Sequence, residues 1–191
     1  MKKFLEEYFV SLKNKIHFIN TKEIGKAISI LEKTIKTNNF TFCCGNGGSA
    51  AISNHFQVDY LKGVNEMTGK KLRIVSLSSN IETITAIAND KGYENVFVDQ
   101  FKIYSKKNDV LLCISSSGNS KNIIKVLQYA KKNKNITILL SGFDGGQAKK
   151  IADINIHIDS NNYGVIEDCH QSIMHSMAQY LSKKDKLFKS F

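Results

Sequence analysis

Proline and tryptophan are absent from the 191 residues, and arginine is reduced to one, Arg73. Without proline there is no proline-rich linker, and no spacer, repeat or low-complexity tract divides the chain. One domain over 1–191 is the economical reading, long enough to bury a real core. With a single arginine, bidentate forks onto bases or phosphates are nearly missing. The net charge of +10 therefore argues poorly for specific nucleic-acid binding. Its lysines are spread as Lys70-Lys71, Lys106-Lys107, Lys131-Lys132, Lys149-Lys150 and Lys183-Lys184, where helices end or loops turn. Cations at helix C-termini are favourable on dipole grounds alone, and a general positive field still attracts anionic ligands. The four cysteines, Cys43, Cys44, Cys113 and Cys169, form no CxxC pair. That argues against a zinc knuckle and for buried thiols in a reducing compartment. No stretch approaches the roughly 20 apolar residues of a membrane span. Glu6 and Glu7 fall too early for a signal peptide. A cytoplasmic protein without membrane association is expected.

Helical periodicity covers residues 2–17 and 21–38, with Asn20-Thr21 as a cap. Short apolar strands are predicted at Phe40–Cys44, Leu72–Leu77, Asp109–Ile114, Ile136–Ser141 and Ile154–Ile158. Helices are predicted from Ser49 to Leu61, Asn80 to Ala88, Tyr93 to Tyr104 and Asn119 to Lys132. A short helix follows Gly146, and a long amphipathic one spans Val165–Ser182. Strands alternating with helices predict an α/β fold with a parallel sheet covered on both faces. The first two helices, residues 1–38, form a hairpin that packs either on the parent domain or against another subunit.

Ligands of such folds sit beyond the C-terminal ends of the strands, and two loops there have suitable chemistry. Ser115-Ser116-Ser117-Gly118-Asn119-Ser120 joins a strand to a helix. Backbone N–H groups at a helix start lack intrahelical partners and share the positive end of the dipole, so with these hydroxyls they form a phosphate cradle. An ordinary N-cap would need only one serine. Cys44-Gly45-Asn46-Gly47-Gly48-Ser49 is a second glycine-rich strand-to-helix turn, with Ser49 as its cap. Its spacing matches neither GxGxxG nor GxxxxGK[ST], which argues against nucleotide cofactors.

His55 and Asp59 lie four apart, on one face of the helix after the glycine loop, and Glu167, Gln171 and His175 form a stripe along the last helix. Two helices each presenting a carboxylate and a histidine fit a four-ligand metal site. They equally fit the acid and base of a proton transfer, or pairs that simply stabilise exposed helices.

Cys44-Gly45-Asn46-Gly47-Gly48-Ser49-Ala50-Ala51, His55-Phe56, Ala88-Asn89-Asp90-Lys91-Gly92-Tyr93 and Ile114-Ser115-Ser116-Ser117-Gly118-Asn119-Ser120 resemble the phosphoheptose isomerase branch of the SIS (sugar isomerase) family. Ser141-Gly142-Phe143-Asp144-Gly145-Gly146 and Glu167-Asp168-Cys169-His170 with His175 extend the match over essentially the whole chain. The resemblance implies a three-layer αβα, flavodoxin-like SIS domain with a five-stranded parallel sheet. It also implies a homotetramer with active sites at subunit interfaces. The implied reaction is aldose–ketose isomerisation of sedoheptulose 7-phosphate to D-glycero-D-manno-heptose 7-phosphate, the entry to heptoses of lipopolysaccharide or capsule. Ser49, Ser115, Ser116, Ser117 and Ser120 would hold the phosphate, and Asn46, Gly47, Gly48, Asp90 and Glu167 would contact the substrate. His55, Asp59, Glu167 and His175 would hold zinc, one ion per subunit, with Asp59 and His175 as the catalytic acid–base pair. Departures lie at the sugar end. Asp59 is one methylene shorter than the usual glutamate, Glu167 replaces a neutral amide, Gly164 stands where an aspartate is common, and Lys62–Asn65 lacks the usual arginine. The alternatives are an isomerase of a related ketose phosphate and a non-catalytic SIS module that binds sugar phosphates or a partner.

Overall fold

A strand covered on both faces must be apolar along its whole length, and Val110–Ser115 (β3) is buried at every position. Its side chains alternate between two cores, as the period of two requires. Val110, Leu112 and Ile114 enter one cluster, and Leu111 and Cys113 the other. In the computed structural model, which describes residues 1–183, β3 is the centre of a five-stranded parallel sheet. Lys184 and the end of the expected 1–191 domain lie outside the described residues.

The other strands are Phe40–Gly45 (β1), Arg73–Ser76 (β2), Ile136–Ser141 (β4) and Ile154–His157 (β5), and the order is β2-β1-β3-β4-β5. That is the doubly wound flavodoxin-like order, with its topological switch between β1 and β3. Cys44 lies level with Cys113 and Gly45 with Ile114, so the two strand-to-helix loops emerge side by side at the switch.

The helices are Lys2–His17 (α1), Thr21–Thr37 (α2), Gly48–Val58 (α3), Asn65–Thr68 (α4), Ile81–Lys91 (α5), Val98–Tyr104 (α6), Lys121–Lys132 (α7), Ala148–Ile151 (α8) and Tyr163–Lys183 (α9). One face of the sheet is covered by α2, α3 and α9, through Ala27, Leu31, Ile52, Phe56, Ile166 and Met174 among others. The other is covered by α6, α7 and α8, through Phe101, Ile123, Val126, Leu127 and Ala148. The expected α/β layering is present. The N-terminal helices divide their roles. Asn20 caps α2 by accepting from the N–H groups of Lys22 and Glu23, and α2 buries Ala27, Leu31 and Thr34. No residue of α1 is fully buried. It rests on α9 through Tyr8 and Leu12, while Phe4, Phe9 and Val10 stay exposed.

The structure redraws several boundaries. The helix after the glycine loop starts at Gly48 with Gly47 as N-cap, so Ser49 sits inside the first turn and not at the cap. It passes at Asp59 into a π-helical turn, Asp59–Val64, before α4. Asn89 to Lys91 continue α5, which stops at Gly92 with φ 89°. The predicted helix from Tyr93 divides into a 3-10 turn, Tyr93–Asn95, and α6 from Val98. Among the described residues no helix is long and apolar enough to cross a membrane.

All four cysteines are free and buried. Burial pushes the Cys43 thiol up to about 12, which keeps it protonated and unreactive. His170 of α9 is fully buried and meets the backbone carbonyl of Ser141 at 3.1 Å through Nε2. A carbonyl only accepts, so Nε2 carries the proton, and the buried Nδ1 has no partner among the described residues. Burial pushes this imidazole down to about 4, whereas an unfolded histidine titrates near 6.5. Between those values the unfolded chain takes up a proton that the fold refuses. His170 should therefore cost the fold about 3 kcal/mol progressively as pH falls from 6.5 to 4. Urea unfolding across that range should show a shallower pH dependence in His170→Gln, whatever its offset at pH 7. Equal slopes would contradict this assignment.

Candidate active site

The serine loop between β3 and α7 is held open by its own backbone. Ser115 Oγ accepts from Gly118 N–H at 3.2 Å and Ser117 Oγ from Asn119 N–H at 3.3 Å. Each of those hydroxyls still has an O–H to give. Ser120 is the N-cap of α7, yet its side chain caps no N–H group. Ser116 Oγ is buried and has no hydrogen-bond partner among the described residues. A buried hydroxyl without a partner costs about 1–3 kcal/mol, and ligand sites are where such groups are kept. The start of α3 likewise has no side-chain cap. Two helix N-termini thus converge on a cavity of about 140 Å³, lined by Asn46, Ser49, Ser115, Ser116, Ser117, Ser120, Tyr163 and Glu167 together with Ile114. Hydroxyls, a carboxamide and open N–H groups suit an anion, and the Glu167 carboxylate also lines the cavity.

Behind this loop lies a further glycine turn, Gly142 to Gly146. Gly118 has φ +63°, and a Cβ there would stand 2.0 Å from Gly145 O. Gly142 N–H donates to Ser116 O at 2.8 Å and Ala148 N–H to Gly118 O at 2.9 Å. The turn works as a brace, a role its sequence does not announce.

The second centre lies where α3 meets α9. Ser76 anchors α3 to β2, donating through its hydroxyl to Asn54 Oδ1 at 2.6 Å and through its N–H to Gln57 Oε1. Between these two anchors His55 faces α9. His55 Nε2 lies 3.4 Å from Asp59 Oδ1 and 3.2 Å from His175 Nε2, and His175 Nε2 lies 3.8 Å from Asp59 Oδ2. All three ligand atoms fall within 4.8 Å of one another. Zinc bonds of about 2.0–2.1 Å in a tetrahedron set ligand atoms roughly 3.3 Å apart. Two imidazoles and a carboxylate at this spacing fit a divalent metal, and among the described residues they form a group that could hold one. Asp59 opens the π-helical turn, a distortion common at functional sites.

Other expected site residues stand apart from this cluster. Glu167, expected as a fourth ligand, lies two helical turns from His175. Its carboxylate faces Gly48, where a Cβ would meet Oε2 at 2.3 Å, and it lines the serine cavity. Burial first, and then Asp168, pushes its carboxyl above the usual range. Gln171 takes the place beside the cluster, its amide 2.8 Å from His175 Nε2. Gly47 is exposed at the loop tip. Asp90 is exposed at the end of α5, accepting from Asn89 Nδ2 at 2.9 Å, and does not line the cavity. Beside Gly164 a Cβ would meet Tyr8 Oη at 3.0 Å, and this hydroxyl donates to Asp168 Oδ2 at 2.6 Å. A residue of α1 thus occupies the space where a side chain at 164 would begin. Tyr163 was not anticipated, because an aromatic before a predicted helix carries no local signal of a pocket.

The family model of the SIS domain matches residues 7–142. A phosphoheptose isomerase of Helicobacter pylori (strain ATCC 700392 / 26695) is 36% identical over 160 residues, 84% of this chain and 83% of its own. The chain belongs to the phosphoheptose isomerase branch of the SIS domain family. The phosphoheptose isomerase of Aliarcobacter butzleri (strain RM4018) is 37% identical over 161 residues, 84% of this chain and 85% of its own. Among solved structures, phosphoheptose isomerase GmhA from Neisseria gonorrhoeae superposes with a TM-score of 0.84 at 28% identity, covering 94% of this chain and 95% of that one.

Proposed function

We propose that the protein is an aldose–ketose isomerase converting sedoheptulose 7-phosphate to D-glycero-D-manno-heptose 7-phosphate. One observation carries this reading: the anion cradle and the His–Asp–His cluster share one face of α9. Eight residues separate Glu167 at the cradle from His175 at the cluster, about 12 Å of helix. An extended heptose phosphate suits a separation of that order.

The reaction moves a hydrogen between C1 and C2 through a cis-enediol. Asp59, a carboxylate beside two imidazoles, takes the C–H proton and returns it to the neighbouring carbon. His175 exchanges a proton with the two substrate oxygens. The phosphate, held by Ser49, Ser115, Ser116, Ser117 and Ser120, supplies binding that fixes the reacting carbons. His55, Asp59 and His175 would hold zinc, which when bound supplies a positive charge that polarises the carbonyl and stabilises the enediolate. Glu167 and Asn46 face the substrate at the cradle. Gly47, Gly48 and Asp90 belong to the same reading, with Asp90 exposed and available to a neighbouring subunit's site. The exposed apolar residues of α1 support assembly of the chain as a homotetramer. The cellular setting is cytoplasmic synthesis of heptose for lipopolysaccharide or capsule.

The test is product formation from sedoheptulose 7-phosphate by the purified protein, run after chelator treatment and after adding zinc back. The expected result is turnover that chelator removes and zinc restores, with solvent deuterium appearing at C2 of the aldose product and at C1 of recovered sedoheptulose 7-phosphate. Tight binding with no turnover in either state would replace the isomerase reading with that of a sugar-phosphate-binding module. Ser116→Ala adds a sharper check on the cradle. Removing a hydroxyl that has no partner among the described residues should leave Tm unchanged or raised, while KM rises about tenfold, the loss of roughly one hydrogen bond to a charged phosphate oxygen. A lowered Tm with unchanged KM would place Ser116 in the fold and not in the site.

A further inference from the structure

We propose that Asn122 and Tyr93 are positioning residues that lock the Asn46 carboxamide, so that it presents a donor and no acceptor to the bound ligand. The inference rests on the sugar-phosphate reading of the cavity. Asn46 belongs to the loop after β1, Asn122 to the first turn of α7, and Tyr93 to the turn after α5. Three separate elements therefore meet on one side chain across the switch point.

The orientation of these amides follows from a backbone group whose role is unambiguous. An N–H can only donate, and Ile123 N–H lies 2.9 Å from Asn122 Oδ1, which identifies that atom as the oxygen. Asn46 Nδ2 donates to the same oxygen at 3.0 Å, and Asn122 Nδ2 donates in return to Asn46 Oδ1 at 2.9 Å. Tyr93 Oη then donates to Asn46 Oδ1 at 3.0 Å. Both lone pairs of the Asn46 oxygen are engaged, as is one of the two protons on its nitrogen. Among the described residues, the remaining N–H is the one side-chain function of Asn46 left uncommitted, and Asn46 lines the cavity. An unrestrained carboxamide could turn its oxygen towards an anion and repel it. Asn122 is buried to 2% exposure, where a satisfied amide pair is strong and costly to break. The turn carrying Tyr93 is tied to α7 by Lys125 Nζ, which donates to Asn95 Oδ1 at 2.6 Å. The ligand group at Asn46 is accordingly an acceptor, an oxygen of the phosphate or of the sugar.

Tyr93→Phe, Asn122→Ala and Ser116→Ala are compared with wild type by titration with sedoheptulose 7-phosphate, by KM and kcat, and by Tm. Tyr93 is 54% exposed, so Tyr93→Phe should keep its Tm. Losing one hydrogen bond should raise its Kd and KM about threefold, and losing the pair in Asn122→Ala about tenfold, with kcat moving less than KM. If Ser116→Ala weakens binding while Tyr93→Phe binds as wild type does, the lock is overturned and the sugar-phosphate reading stands. If Ser116→Ala also binds normally, the cavity reading itself fails. Should Asn122→Ala not fold, Tyr93→Phe decides the matter alone.

Discussion

Asp59→Asn is expected to lower kcat by about 10²–10⁴-fold, the usual worth of a positioned general base. The substitution is isosteric, so helix α3 and the π-helical turn that Asp59 opens should persist, and Tm should stay within a few degrees. What disappears is the negative charge between two imidazoles whose Nε2 atoms lie 3.4 and 3.8 Å from its oxygens. An amide cannot accept the C–H proton, and it is a poor partner for a divalent cation. Zinc affinity, read by competition with a chromophoric chelator, should therefore fall alongside turnover. Asp59→Glu lengthens the arm by one methylene towards the glutamate of the resemblance. It should keep both the charge and measurable turnover. Near-normal turnover in Asp59→Asn would remove Asp59 from the role of base. Lost turnover with zinc binding intact would confine it to proton transfer.

Gly118→Ala should destabilise the protein by more than about 4 kcal/mol, a size reserved for a few named mechanisms. Two act together here. A residue with a Cβ at φ +63° pays about 1–2 kcal/mol for the left-handed backbone. Its Cβ would also stand 2.0 Å from Gly145 O and 2.6 Å from Gly145 C. Both are backbone atoms, so no rotamer change relieves the overlap. The serine loop and its brace would have to part, breaking the bond from Ala148 N–H to Gly118 O. Any folded fraction should have lost inorganic phosphate binding. Gly25 is the contrast. It lies within α2, where a Cβ meets nothing within 4 Å, and alanine there should stabilise the helix by about 1 kcal/mol. Urea unfolding of the two variants side by side measures both effects. Wild-type stability and phosphate affinity in Gly118→Ala would show that the loops are not clamped.

Patterns confined to neighbouring residues were readable early. β3 and α7 each carry their own periodicity, and the serines between them mark a helix start wherever that helix packs. Asn20 before Thr21 foretold the cap of α2, because a cap bonds to N–H groups two and three residues ahead. Boundaries that depend on distant partners were misplaced. The π-helical turn at Asp59 leaves no mark on the apolar spacing, and α5 runs on through Asn89 and Asp90 because only Gly92 forces it to stop. Glu167 shows the limit for function. Its place in the stripe with Gln171 and His175 suggested a ligand, but a helix rises 1.5 Å per residue. That rise sets Glu167 at the cradle and leaves Gln171 beside the metal-type cluster.

The strands, the parallel sheet they imply and the two loops rich in glycine and serine are legible in the residues alone, since each depends on periodicity or hydrogen bonding within a few residues. Which groups meet depends on the packing of distant elements. His55 and His175 lie 120 positions apart in the chain yet 3.2 Å apart in space, and the Asn46 amide is turned by partners 47 and 76 positions away. Contacts of that kind are set by how α3, α7 and α9 pack on the sheet, a sum of many weak interactions over the whole core.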